Sequence, residues 1–152
     1  MSKNFIDLFC GAGGLSLGFE RAGFKCVGAI DISKACINTH KLNFPDCVSI
    51  NTDISKINPS EFNKKIGNKK IDLVIGGPPC PTFSTIGHAK IKSIKSKNNS
   101  NFTLFDDERN FLFKNYFSYI EHFKPNFFIM ENVPNFITKY QGSIFNQTKV
   151  KI

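Results

Sequence analysis

The sequence predicts a doubly wound α/β domain built on a parallel sheet, and two observations carry that expectation. Apolar segments of strand length alternate in strict order with helix-like segments, a pattern that requires right-handed crossovers between parallel strands. A glycine-rich turn, Gly11 to Gly14, follows the first apolar segment, and a carboxylate, Asp31, ends the second, twenty residues after Gly11. At that spacing a carboxylate accepts hydrogen bonds from a ribose.

The elements follow in order. Asn4 to Phe9 is rich in Ile, Leu and Phe and reads as the first strand. Leu15, Phe19 and Ala22 then fall at helical spacing, and Gly23 follows where a helix stops. Lys25 to Asp31 is the second strand. Ser33 to Asn43 is polar with weak periodicity and is read as a helix. Cys47 to Ile50 is the third strand. Asn58 to Lys70 is lysine-rich and polar, which suits a short surface helix or loop. Ile71 to Ile75 is the fourth strand and runs into the unusual string GGPPCPTFS. Ile86 to Phe105 holds His88, Lys90, Lys92, Lys95 and Lys97 without an acid, the composition of a mobile loop. Leu112, Tyr116, Tyr119, Ile120 and Phe123 mark one apolar face of a helix behind the acidic start Asp106-Asp107-Glu108. Asn126 to Asn132 is the fifth strand.

At 152 residues, with 41% hydrophobic and 21% charged residues, the chain has the composition of one globular domain with a core. Its apolar runs are too short to span a bilayer, and MSKNFIDLF lacks the apolar stretch of a signal peptide, so a soluble cytoplasmic protein is expected. A net charge of +8 suits a polyanionic partner. The five cysteines are odd in number and include no Cys-x-x-Cys pair, which points away from a disulfide framework and from zinc. Cys10, Cys26, Cys36 and Cys47 sit among apolar neighbours and read as small core residues.

In an open parallel sheet, ligands sit beyond the carboxyl ends of the strands. Five predicted strands deliver unusual residues to that edge: the Gly11–Gly14 turn, Asp31, Asp53, the Gly76 to Cys80 string and Glu131. A glycine turn alone serves structure as readily as a ligand, but together with Asp31 it points to a nucleoside-containing cofactor. The pattern is Gly-x-Gly-Gly, so a pyrophosphate dinucleotide fits less well. Asp53 suits either an exocyclic adenine amine or a turn cap. Cys80 is flanked by prolines that fix the backbone, a frame better suited to a nucleophile than to core packing. Glu131 ends a strand of Phe, Ile and Met. Apolar surroundings there would raise its pKa toward proton donation, and the alternative is a carboxylate bonded to loop amides.

The strings DLFCGAGGLSLGFERAGF, DIS, TDIS, GGPPCPTFSTIG, DERNFLF and ENVPNF, in this order, resemble the motifs of the carbon-5 cytosine DNA methyltransferases from Asn4 to about Phe136. The resemblance implies a Rossmann-like fold and S-adenosylmethionine as cofactor. Phe9 would pack on it, with Gly11, Ala12, Gly13 and Gly14 near its methionine part and Asp31 on its ribose. Ile32 would lie against the adenine, Asp53 at the adenine amine, and Pro79 and Leu112 along the pocket, with Ile54 also among the cofactor-binding residues. It further implies that Cys80 attacks carbon 6 of a cytosine flipped out of double-stranded DNA while Glu131 donates a proton to the ring. Ser84 and the lysines at 90, 92, 95 and 97 would then meet DNA phosphates. Restriction-modification is the setting carried with the resemblance, although these motifs do not separate it from a regulatory role.

Two departures qualify this picture. Pro81 stands where the family usually has glutamine. The sequence stops at Ile152, before the family's Gln-x-Arg-x-Arg segment and target-recognition region, so residues 1–152 read as a truncated catalytic and cofactor-binding domain. Five parallel strands with an unfinished edge are expected, together with activity that needs a carboxy-terminal half or a second subunit. A remnant that at most binds cofactor, and an RNA-directed relative, are the alternatives.

Overall fold

A computed structural model describes residues 3–79 and 112–134. Met1–Pro78 with Lys114–Glu131 forms one compact unit, and Pro79–Phe113 with Asn132–Ile152 a second. The architecture below is that of the first.

Five strands, β1 (Asn4–Leu8), β2 (Lys25–Asp31), β3 (Val48–Asn51), β4 (Leu73–Gly76) and β5 (Phe127–Met130), form one sheet in the order β3-β2-β1-β4-β5. Every neighbouring pair is parallel, as expected. The helices are α1 (Gly14–Arg21), α2 (Lys34–Asn43), α3 (Pro59–Lys65) and α4 (Leu112–Phe123), with a single 3₁₀ turn at Ile54–Lys56. The strand order reverses direction between β1 and β4. Sheets of this kind bind ligands at such a switch point, beyond the carboxyl ends of the two strands.

Apart from Asp7 in β1, the interiors of the three central strands are apolar on both faces, the pattern of a parallel sheet covered on both sides. Phe5, Ile6, Leu8, Ala29, Ile30, Val74 and Ile75 are all essentially inaccessible. β5 differs. Phe127 and Ile129 are 67% and 44% exposed, and β5 pairs only with β4 among the described residues. The Tyr116 hydroxyl on α4 lies 3.1 Å from the Val74 carbonyl and 2.9 Å from that of Ile129, so its one proton is shared across the β4–β5 seam.

Two expectations need correction. Asn58 to Lys70 is not merely a surface segment. Its helix α3, capped by the Asn58 side chain, buries Phe62, and Ile66 follows it into the core. Phe62 packs on Tyr119 with ring centroids 5.5 Å apart. Gly28 in β2 leaves the room they need: a Cβ there would lie 2.6 Å from Phe62 and 2.7 Å from Ile66. Of the four cysteines assigned to the core, Cys10, Cys26 and Cys47 are buried, but Cys36 on α2 is only half-buried. Among the described residues no helix is long and apolar enough to cross a membrane, and no group of three or more His, Cys, Asp or Glu is arranged to hold a metal.

Candidate active site

The end of β1 is shaped by its hydrogen bonds. Phe9, expected in the strand, instead leaves it with φ 66°. Its N–H and that of Cys10 both donate to the Ile30 carbonyl of β2, at 2.9 and 3.1 Å. The chain then turns through Gly11 (φ 55°) and Gly13 (φ 98°), and the Gly13 N–H closes the turn on the Cys10 carbonyl at 3.0 Å. α1 starts at Gly14, so its unpaired amides begin at the turn.

The glycines at 11 and 13 are required for different reasons. A Cβ at Gly11 or Gly14 would meet nothing within 4 Å, whereas one at Gly13 would lie 2.4 Å from Phe44 Cε2 and 3.0 Å from His40 Cδ2. Gly13→Ala therefore combines a left-handed backbone with overpacking and is expected to cost about 2–4 kcal/mol, against about 1 kcal/mol for Gly11→Ala. Denaturant midpoints of the two variants check the difference.

Asp31, half-buried at the end of β2, ties this turn to its neighbour. Oδ2 accepts from the Gly11 N–H at 2.8 Å and Oδ1 from the Ser33 N–H at 2.7 Å. Asn51, at the end of β3, donates through Nδ2 to the carbonyls of Asp31 (3.1 Å) and Ile32 (2.8 Å). Ser33 and Asn51 escaped the sequence reading. A polar residue ending a strand was the available signal. Ile32 lies beside them, 71% exposed.

Asp53 caps the 3₁₀ turn: Oδ1 accepts from both the N–H (2.9 Å) and the hydroxyl (2.8 Å) of Ser55, and these bonds hold its pKa below the usual carboxylate value. Neither bond uses Oδ2. Ile54 is buried beneath it.

On the other side of the switch, Glu131 follows β5 and donates its N–H to the Gly76 carbonyl at 2.9 Å. Its side chain crosses Gly77, where a Cβ would lie 3.0 Å from Glu131 Oε2. Glu131 is exposed and so are Phe127 and Ile129 before it, so the described residues do not form the apolar enclosure anticipated for this carboxylate. Pro79 is exposed, and Leu112, the first residue of α4, is half-buried. Cys80, Ser84, Lys90, Lys92, Lys95 and Lys97 lie outside the described residues.

A buried polar cluster beneath the glycine turn was also missed. Asp7, 1% exposed in the middle of β1, accepts from the Ser16 hydroxyl of α1 at 2.6 Å through Oδ2, and Oδ1 has no hydrogen-bond partner among the described residues. Desolvation pushes its pKa up to about 7 against the opposing Ser16 bonds, and the charge of Asp31 adds to the rise. Ser16 in turn meets His40 of α2, which is wholly buried. An aspartate in an apolar strand, and a histidine on a weakly periodic helix, were the visible signals.

Comparison with known proteins bears on this geometry. The chain matches the family described as C-5 cytosine-specific DNA methylase over residues 3–152. It is 40% identical over 142 residues to the Type II methyltransferase M1.HphI of Haemophilus parahaemolyticus, covering 93% of this chain and 35% of that protein. With the Type II methyltransferase M.XorII of Xanthomonas oryzae it shares 42% identity over 130 residues, 84% of this chain and 27% of the relative. Among solved structures, a prophage-encoded DNA modification methyltransferase (E. coli) superposes with a TM-score of 0.79 at 35% identity, over 99% of this chain and 38% of the other. The chain thus spans roughly a third of the length of each of these three proteins.

Proposed function

The chain belongs to the C-5 cytosine-specific DNA methylase family, and on that premise we propose that it forms the cofactor and nucleophile portion of an S-adenosylmethionine-dependent DNA cytosine-5 methyltransferase. One observation carries this reading. The Gly11–Gly14 turn is fastened to the Asp31 carboxylate on one side of the β1/β4 switch, while Gly77 and Glu131 lie on the other.

The residues present fit S-adenosylmethionine. The open space over Gly11 and Gly14 admits a ligand against backbone. Asp31 spends one lone-pair direction of each oxygen on an amide and keeps others for ribose hydroxyls. Asp53 keeps Oδ2 for an adenine amine. Phe9, Ala12, Gly13, Ile32, Ile54, Pro79 and Leu112 complete the proposed set. When bound, this cofactor supplies an electrophilic methyl group on a sulfonium sulfur.

Carbon 5 of cytosine is a poor nucleophile, and the chain's own residues remedy this. The Cys80 thiolate adds to carbon 6, the displaced electron pair moves toward the ring nitrogen, and Glu131 protonates that nitrogen. Carbon 5 then carries enamine-like electron density and takes the methyl group. Loss of the carbon 5 proton to a base re-forms the double bond and expels the thiolate, and the ring nitrogen returns its proton to the Glu131 carboxylate. Ser84 and Lys90, Lys92, Lys95 and Lys97 are assigned to DNA phosphates, in keeping with a net charge of +8.

Because the chain spans about a third of each of those three proteins, we assign target choice and completion of the sheet beyond β5 to a carboxy-terminal portion or second subunit. Among the described residues β5 pairs only with β4, which supports this, since an edge strand is a template for pairing. The test supplies the chain with the carboxy-terminal portion of a relative and methyl-labelled S-adenosylmethionine, offers DNA and tRNA in parallel, and digests each nucleic acid to nucleosides. Label in 5-methylcytosine supports the reading. Label in tRNA alone favours an RNA-directed enzyme, and cofactor binding without transfer favours an inactive remnant.

Gly77 bears on the acid. Gly77→Ala has no left-handed backbone to strain, and its methyl would crowd only Glu131 Oε2, at 3.0 Å, with the Glu131 carbonyl and Cβ at ordinary contact distance, so folding is spared while the Glu131 carboxylate moves. Methyl transfer is expected to fall about tenfold to a hundredfold, with cofactor affinity unchanged. Single-turnover rates alongside binding isotherms separate the two effects.

A further inference from the structure

The last turn of α2 lies directly beneath the glycine turn and touches it three times. Asn43 Nδ2 donates to the Ala12 carbonyl at 3.4 Å, and the rings of His40 and Phe44, with centroids 4.5 Å apart, fill the space where a Gly13 side chain would go. Positions 40, 43 and 44 share one helix face by spacing. His40 also stands in the middle of a buried hydrogen-bonded chain. Its Nδ1 is 2.8 Å from Ser49 Oγ of β3, its Nε2 is 3.3 Å from Ser16 Oγ of α1, and Ser16 Oγ is 2.6 Å from Asp7 Oδ2 of β1.

We infer that His40 is a positioning residue for the cofactor: resting on α2, and bonded to Ser49 and Ser16, it sets the height and tilt of the Gly11–Gly14 turn and of the first turn of α1. This rests on the reading of that turn as an S-adenosylmethionine site.

The direction of each bond follows from what each group has to offer. With Asp7 ionised, its carboxylate accepts the only proton of Ser16. The Ser16 oxygen is then left to accept, so His40 Nε2 carries the hydrogen. Nδ1 therefore presents a lone pair, and the Ser49 hydroxyl donates to it. Burial disfavours a charged imidazole and holds the His40 pKa below its usual value, with the charge of Asp31 opposing more weakly. A neutral ring with a fixed tautomer is thus locked at both nitrogens. Its position is transmitted to the turn in two ways: by contact at Gly13, and through Ser16, two residues into α1, whose amides face the ligand.

The experiment compares the native protein with His40→Phe, which keeps a ring but makes neither bond, and His40→Gln, whose amide nitrogen can still donate to Ser16. S-adenosylmethionine affinity is measured by calorimetry at a temperature where circular dichroism shows each variant folded. His40→Phe is expected to weaken binding about tenfold, with much of the loss recovered in His40→Gln, since displaced supporting groups act through geometry. Nitrogen-15 spectra of the native histidine at pH 8 are expected to show the hydrogen on Nε2, a readout independent of the cofactor. Unaltered affinity in folded His40→Phe, or a hydrogen on Nδ1, overturns the positioning role. A native protein that binds no S-adenosylmethionine overturns the cofactor reading itself.

Discussion

Cys80→Ser is expected to lower methyl transfer by more than about a thousandfold while leaving S-adenosylmethionine affinity within about twofold, because the nucleophile is lost and the pocket is not. A thiol with an ordinary pKa near 8.5 is a few per cent ionised at neutral pH, and its thiolate is intrinsically a strong nucleophile. A serine hydroxyl offers neither property without a dedicated base. The substitution removes little volume, so loss of transfer with intact binding isolates the chemistry from the fold. Transfer that persists in Cys80→Ser removes this residue from the mechanism. Pro78, Pro79 and Pro81 around it give the physical rationale for a fixed thiol.

The second large effect concerns stability and sits at Asp7. Its carboxyl titrates at about 7 in the folded chain against 3.8 when unperturbed, chiefly through desolvation. Between those two values the folded state holds the proton and the unfolded state has released it. Stability from this group is therefore full below about pH 4 and is lost as pH rises through about 7. A rise from 3.8 to about 7 corresponds to roughly 4 kcal/mol at 1.36 kcal/mol per tenfold change in proton affinity, an order-of-magnitude figure. Denaturant unfolding from pH 4 to pH 8 is expected to show a decline of this kind. Asp7→Asn keeps an oxygen for the Ser16 hydroxyl and cannot ionise, so its curve should be flatter and lie above the native one at pH 8. Parallel curves for the two proteins contradict a buried ionising Asp7.

The fold was largely legible from residues because a parallel sheet buried on both faces reads as nearly continuous apolar strings: FIDL, broken only by Asp7, CVGAI and LVIG are β1, β2 and β4 almost to the residue. Elsewhere the signal was masked. Four lysines between Asn63 and Lys70 outweighed Phe62 and Ile66, although burial follows the two apolar side chains and the lysines need only keep their ends in water. The pairing of Asp31 with the glycine turn was legible through its spacing from Gly11, and the two are joined by a hydrogen bond. The clash that confines position 13 to glycine was not legible, since it depends on His40 and Phe44 arriving from another helix. Nor was the exposure of Glu131, because a run of Phe, Ile and Met looks buried until the strand is known to lie at the sheet's edge. Nucleophile and DNA-facing lysines are readings of sequence and resemblance, and the described strands bring β4, which leads to Cys80, alongside β5, which leads to Glu131.

Trapping of the covalent intermediate tests the cysteine chemistry most directly. The chain, supplied with the carboxy-terminal portion of a relative and S-adenosylmethionine, is incubated with DNA whose cytosines are replaced by 5-fluorocytosine, which blocks the release of the carbon 5 substituent. A protein–DNA species that survives denaturation, whose peptide digest carries the nucleotide on Cys80, is the predicted result. Methyl transfer to ordinary DNA by the same mixture, with no adduct on the fluorinated DNA or with the adduct on another residue, would contradict the account.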